Sequence, residues 1–220
     1  MSLSRRLTAE AVGTALLLAA VVGSGIMGER LAGGNVAIAL LANSVATGAA
    51  LVALILCFGP ISGAHFNPAV SLAEAAMGRM SWQDTAGYVA VQILGAFAGV
   101  LAAHLMFAEP AFAASTHERS GVAQAFSEGV ASFGLLSVIF GCSRRQPHAV
   151  PFAVGAWITG AYWFTASTSF ANPAVTLARA ATDSFAGIRP EDVPAFVAAQ
   201  LVGAALATGL FRWLTRDQPR

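Results

Sequence analysis

Two segments of the chain repeat one pattern of polar caps and turn residues. Residues 61–77 read ISGAHFNPAVSLAEAAM and residues 166–182 read ASTSFANPAVTLARAAT. They match at nine of seventeen positions when Asn67 and Asn172, 105 residues apart, are aligned. Asn is a favoured N-cap and Pro is favoured at the first helical position, so Asn67-Pro68 and Asn172-Pro173 predict two helix starts. Each start sets an amide donor beside the positive end of a helix dipole, which suits contact with a polar group.

Further polar residues recur inside apolar stretches. Glu10 and Glu128 lie in two of these stretches, where a carboxylate is costly and marks a functional position by default. Gln92 and Gln200, each followed three residues later by Gly, repeat in the same way. These repeated residues indicate that the second half of the chain duplicates the first.

The composition indicates the environment in which these residues must act. Of 220 residues, 56% are hydrophobic and 10% are charged, whereas soluble domains carry about 25% charged residues. A chain of this length has too little interior to bury so much apolar surface, so the composition predicts a membrane protein. It excludes a soluble enzyme, and the net charge of +1, with Arg as the only strong base, gives no reason to expect a nucleic-acid partner.

Six stretches are long and apolar enough to cross a bilayer as helices, because they are continuously apolar rather than alternating. They cover residues 8–28, 36–58, 86–107, 122–141, 149–166 and 194–214.

The two Asn-Pro-Ala segments that begin at Asn67 and Asn172, called the boxes below, fall between the second and third stretch of each half. Three spans per half is an odd number, so the halves, approximately 1–115 and 116–220, must be inverted relative to each other within one transmembrane domain, 1–220. The apolar residues after each Pro are too few to span a membrane. They predict re-entrant half-helices that enter from opposite faces and meet near the midplane. The preceding segments, 59–66 and 165–171, are expected to line a cavity, because their backbone groups need partners or water.

The arginines are distributed unequally between the two faces. With six spans both termini lie on one side, and placing them in the cytoplasm satisfies the positive-inside rule. That side would hold Arg5, Arg6, Arg79, Arg144, Arg145, Arg212, Arg216 and Arg220, against Arg30, Arg119 and Arg189 on the other, with Arg179 between the two.

The chain resembles the aquaporins, or major intrinsic proteins. The resemblance lies in two Asn-Pro-Ala boxes, six spans, and an intramembrane Glu in spans one and four. The resemblance implies an all-α membrane fold of six transmembrane helices and two re-entrant half-helices. It implies a homotetramer in the bacterial inner membrane, each subunit with its own pore. Solute would pass between the boxes, and the two carboxylates would accept hydrogen bonds from loop amides. The boxes are Asn67, Pro68 and Ala69, and Asn172, Pro173 and Ala174; the carboxylates are Glu10 and Glu128; His65 would line the inner pore mouth.

The selectivity filter departs from the family pattern. Most members have an Arg directly after the second box, where this chain has Val175, and Arg179 is not expected to replace it. Family spacing assigns Thr47, Gly160 and Ser169 to the other three filter positions. This ring predicts a wide pore with weak repulsion of cations.

We therefore expect a passive channel for water and small, mostly uncharged polar solutes. The filter without Arg and the run Tyr162-Trp163-Phe164-Thr165 resemble a bacterial branch associated with arsenic resistance, which implies metalloid or arsenical solutes. The alternative is an ion-coupled secondary transporter, since such proteins also use inverted repeats and broken helices. An enzyme is not expected, and neither a cofactor nor a metal site is predicted, because no span contains Asp and no metal-ligand motif occurs.

Overall fold

The computed structural model describes residues 1–216, which form α-helices and connecting segments without any β-strand. Arg220 lies outside the described residues. The helices are α1 (Leu3–Leu31), α2 (Val36–Ser62), α3 (Pro68–Ala76), α4 (Trp82–Phe107), α5 (Val122–Arg145), α6 (Val150–Phe164), α7 (Pro173–Arg179) and α8 (Val193–Leu214).

Five of these helices are long and apolar enough to cross a membrane by length and composition: α1, α2, α4, α5 and, with the turn before it, α8. The remaining predicted span, 149–166, folds as α6, which has only 15 residues. At 1.5 Å per residue it is about 22 Å long, shorter than a bilayer core of about 30 Å. The helix is short because the chain leaves it at Thr165 to approach the second box, and a 3₁₀ turn at Pro147–Ala149 precedes it.

Equivalent helices of the two halves pack in equivalent ways. Helix α1 packs on α2 and α4, and α5 packs on α6 and α8. Small residues allow the closest of these approaches, since a Cβ at Gly95 would collide with the carbonyl of Ala11 in α1, and one at Gly203 with the carbonyl of Gly129 in α5.

The helices define two faces of the molecule. The terminus side contains the start of α1 and the end of α8, and there Arg6 forms a 2.6 Å ion pair with Asp84 at the start of α4. The loop side contains residues 32–35, 108–121 and 180–192, and there Thr116 N donates to Asp183 over 2.8 Å. Helix α1 begins on the terminus side, whereas its counterpart α5 begins on the loop side. The predicted inverted repeat is therefore confirmed.

The two short helices, α3 and α7, begin inside the molecule and run to opposite faces. Asn67 caps α3 by accepting from Ala69 N over 2.9 Å. Asn172 caps α7 by accepting from Ala174 N and Val175 N over 3.0 and 3.3 Å. The prediction of two opposed half-helices that start at Asn-Pro is confirmed.

Candidate functional site

The two boxes are joined by reciprocal hydrogen bonds. Asn67 Nδ2 donates to the carbonyl of Ala171, and Asn172 Nδ2 donates to the carbonyl of Phe66, each over 2.8 Å. An Asn amide has two N–H donors. One N–H of each side chain thus fixes the opposite loop, and the other is left for whatever occupies the adjoining space.

The loops before the boxes have strained backbones at equivalent positions. Ala64 and Phe66 in the first loop, and Ser169 and Ala171 in the second, all have positive φ between 47° and 52°. A non-glycine residue in this region costs about 1 kcal/mol or more. The left-handed turns determine where the carbonyls of Phe66 and Ala171 point, and both accept the Asn amides.

A fully buried carboxylate holds the first loop. Glu10 accepts from the backbone N of His65 over 3.0 Å and of Phe66 over 2.7 Å. It also accepts from Ser62 Oγ over 2.6 Å and from Gln92 Nε2 over 2.9 Å. Four donors thus satisfy one buried charge, as such a charge requires.

Glu128, also fully buried, holds the second loop in the same way. It accepts from Phe170 N and Ala171 N, each over 2.8 Å, and from Gln200 Nε2 over 2.6 Å. Gln92 and Gln200 repeat visibly in the sequence, but their role as donors to the two carboxylates was not predicted from it. Their equivalent positions relative to the two boxes were the signal that could have indicated a shared partner.

A cavity of about 220 Å³ runs beside the boxes. Its lining extends from Glu74 and Ser143, near the terminus side, to Thr47 and Arg179, near the loop side. Several residues that the sequence analysis singled out contribute to this lining: Thr47, His65, Asn67, Ser169, Asn172 and Val175. The box residues Pro68, Ala69, Pro173 and Ala174 are buried but absent from the lining.

Gly160, which family spacing assigns to the filter, does not line this cavity. It is exposed, and a Cβ added there would meet nothing within 4 Å. The lining residues of α6 are Val150, Val154, Ile158 and Tyr162, spaced four apart on one helical face, and Gly160 lies on the opposite face. Tyr162 was missed as a lining residue, and its hydroxyl lies 3.2 Å from Thr47 Oγ1.

Arg179 also lines the cavity, although it was not expected to replace the missing Arg. It lies one helical turn after Val175, on the same face of α7. Its side chain is 1% exposed, Nε donates to the carbonyl of Ala186, and Cζ lies 3.3 Å from the centroid of the Phe170 ring. A buried cation is therefore present at the loop side of the cavity.

A second buried cation, Arg119, lies in the segment before α5. Its Nε donates to the carbonyl of Gly187 over 2.7 Å, and its Cζ lies 5.0 Å from the Phe170 ring centroid. Burial lowers the pKa of Arg119 to about 10, so the guanidinium stays charged at neutral pH.

His65 lies on the cavity wall toward the terminus side. Its Nδ1 lies 3.0 Å from Ser71 Oγ, and its ring lies 5.3 Å from that of Tyr88. Between residues 1 and 216, no three His, Cys, Asp or Glu side chains form a group that could hold a metal ion.

Comparison with known proteins places this geometry in a family. The family model "Major intrinsic protein" matches residues 1–158 and 143–220. Aquaglyceroporin AqpS of Rhizobium meliloti is 58% identical over 96% of this chain and 91% of its own length. Probable aquaporin AqpM of Archaeoglobus fulgidus is 30% identical over 99% of both chains.

Among solved structures, the aquaglyceroporin from Plasmodium falciparum has the same fold. Its TM-score is 0.73 at 21% identity, covering 99% of this chain and 97% of that one. The extent of the family match and the identity to its curated relatives lead to one conclusion: this chain belongs to the major intrinsic protein family.

Proposed function

We propose that this chain is a passive channel in which water and small polar solutes pass through the cavity beside the two boxes. The single observation that carries the proposal is the meeting of the two half-helices. Their N-caps bind each other's loops, and the cavity adjoins both Asn side chains. Two positive helix ends then face one point, an arrangement that repels protons and other cations. Aquaporins and aquaglyceroporins are channels rather than enzymes, in agreement with this function.

We assign the filter to the loop side of the cavity, with Thr47, Ser169 and Val175 as proposed members. Tyr162 supplies the α6 position in place of Gly160, since its hydroxyl contacts Thr47. Val175 offers less bulk than the Arg found there in most of the family, so the filter admits solutes of glycerol size. Uncharged metalloid hydroxides, which resemble small polyols in carrying several hydroxyl groups, are proposed among these solutes.

The same proposal extends to the assembly and its orientation. The chain forms one transmembrane domain, 1–220, with repeat halves near 1–115 and 116–220, and it works as a homotetramer with one pore per subunit. The terminus side faces the cytoplasm of a bacterial inner membrane. The distribution of Arg supports this orientation, because Arg5, Arg6, Arg79, Arg144 and Arg145 all lie toward that side.

The test is osmotic swelling of proteoliposomes without any ion gradient. Wild-type vesicles are expected to pass water and glycerol with rates that rise linearly with the concentration difference. Val175→Arg adds bulk and charge at the filter and is expected to reduce glycerol flux about tenfold while sparing water. The matched variant Val175→Leu adds bulk without charge and separates the two effects.

Two outcomes would overturn this assignment. Saturating flux that responds to an imposed ion gradient would favour the alternative, an ion-coupled transporter. The structure gives that alternative little support, because Glu10 and Glu128, two carboxylates within apolar spans, are engaged by loop amides. Glycerol flux that Val175→Arg leaves unchanged would remove Val175 from the constriction.

A further inference from the structure

The cavity carries opposite charges at its two ends, and only one of them is neutralised. Glu74 and Arg179 occupy equivalent positions, each seven residues after the Asn of its box, and both line the cavity. Glu74 forms an ion pair with Arg79 over 3.1 Å. Arg179 has no carboxylate within ion-pair distance among residues 1–216, and Glu74 is the only acidic residue in the lining. The loop side of the cavity is therefore electropositive.

The same end holds hydrogen-bond donors that have no acceptor. Arg179 Nη1 and Ser169 Oγ are both buried and unpartnered within the described part of the chain, and both residues line the cavity. Leaving a buried donor unpaired costs about 1–3 kcal/mol, and more for a charged group. Two unpaired donors from residues of the same lining suit a ligand that brings acceptor oxygens.

The rest of the guanidinium is held in place. Its Nε is bound to the carbonyl of Ala186, and the plane lies against the Phe170 ring. Arg119 lies beside the same ring, and its side chain donates only to carbonyl and hydroxyl groups among the described residues, while its backbone N donates to Asp192 Oδ2 over 2.8 Å. Two buried guanidinium groups thus share one aromatic ring, and neither forms an ion pair within the described residues. The nearby carboxylate of Glu128 is engaged by Phe170 N, Ala171 N and Gln200 Nε2, so it offsets only part of the positive charge at this end.

We propose that the loop-side end of the cavity is a binding site for small monovalent oxyanions, with Arg179 as its cation and Ser169 as its neutral donor. An Arg guanidinium presents its donors in a planar fork that matches two oxygens of one anion. The proposal rests on the proposed channel function, since the anion must reach the site through the same cavity. It further predicts that the channel passes or binds anions in preference to neutral solutes, and neutral solutes in preference to cations.

Three probes of one shape test this order. Nitrate, urea and guanidinium are planar, have four heavy atoms each and carry charges of −1, 0 and +1. The flux of each is measured in proteoliposomes of the full chain, with the membrane potential clamped by potassium and valinomycin and with protein-free vesicles subtracted. The slowing of urea flux by added nitrate is measured at constant ionic strength. Wild type is expected to pass nitrate faster than guanidinium, or to show nitrate-dependent slowing of urea flux.

The variants separate the site from a general effect of charge. Arg179→Met keeps the apolar part of the side chain. It is expected to lower the nitrate effect, meaning nitrate flux relative to urea flux or the slowing of urea flux by nitrate, about tenfold. That factor corresponds to the loss of one charge-assisted bond. Arg179→Lys keeps the charge without the fork and is expected to retain part of the effect. Arg30→Met removes one positive charge from the loop side outside the cavity lining and is expected to leave the effect unchanged.

The outcomes distinguish this proposal from the proposed function. Vesicles that pass neither water nor urea would overturn the channel function. Vesicles that pass both, while nitrate neither enters nor slows urea, would overturn the oxyanion site and leave the channel intact. An equal loss in Arg30→Met and Arg179→Met would also overturn the site. If Arg179→Met fails to insert into the membrane, the flux of the three probes through wild type and through Arg179→Lys still tests the oxyanion site.

Discussion

The two halves of the chain hold their loops with the same pattern of hydrogen bonds, but different side chains face the cavity. Each half has an Asn cap, left-handed residues before it, a buried Glu and a Gln. In contrast, His65 beside the first box corresponds to Phe170 beside the second, and Glu74 corresponds to Arg179. The conservation of pattern within one chain follows from geometry, since both loops need the same hydrogen bonds. All four of these differing residues line the cavity.

The largest expected effect comes from replacing the loop-holding carboxylates. Glu10→Gln and Glu128→Gln each turn one acceptor oxygen into a donor that faces other donors, so each is expected to lower the free energy of unfolding by about 3 kcal/mol. Glu10→Gln is expected to be the more destabilising, because Glu10 accepts four hydrogen bonds and Glu128 accepts three. Thermal unfolding in detergent measures both.

Glu109→Gln is the control for the carboxylates. Glu109 is partly exposed and pairs with Arg30 at the surface, so its replacement is expected to change stability by less than about 1 kcal/mol. Equal stability of Glu10→Gln and this control would contradict the role assigned to the carboxylate.

A smaller effect is expected from the box side chains. Asn67→Ala and Asn172→Ala each remove a helix cap and leave one carbonyl of the opposite loop without its donor, a loss of about 1–2 kcal/mol. Asn172→Ala is expected to lose more, because Asn172 caps two amides and Asn67 caps one. Both variants are also expected to lose water flux, because the bond between the loops fixes the boxes beside the cavity, and thermal unfolding and water flux are measured together.

Asn35→Ala separates capping from the bond between the loops. Asn35 caps α2 through Ala37 N and Ile38 N at an exposed position, so its replacement removes only a cap. A loss of water flux in this variant as large as that in Asn67→Ala would show that the bond between the boxes has no special role.

The smallest effect is expected at α6, the helix whose filter position the sequence misplaced. Tyr162→Phe removes the hydroxyl that contacts Thr47, and urea flux is expected to fall about threefold as one polar contact on the wall is lost. Gly160→Ala lies on the exposed face and is expected to leave the flux unchanged. A larger change in Gly160→Ala than in Tyr162→Phe would restore Gly160 to the filter.

Sequence alone predicted the features that follow from local chemistry. Asn-Pro is a helix start wherever it follows a loop, so both half-helices could be placed from residue types, and an odd number of spans per half required the inversion. The apolar runs that contain Glu10 and Glu128 placed both carboxylates inside membrane-crossing helices, and the family resemblance implied that they bind loop amides.

The errors concern which face of a helix meets the cavity. Gly160 was assigned by counting residues back from Asn172, but the count crosses the turn at 165–171, which helical periodicity does not cover. The position of Arg179 depends on the loop 180–189 folding back to supply the carbonyl of Ala186. Contacts of this kind between separate segments are not encoded in any local pattern.

The reciprocal bonds between the boxes have a consequence for biogenesis. A nascent chain that has inserted only α1 to α4 holds the amide of Asn67 and the carbonyl of Phe66 at the bilayer centre without their partners, which costs several kcal/mol. Only arrival of the second half supplies both partners at once. Each half therefore satisfies the hydrogen bonds of its own box only when the other half is in place.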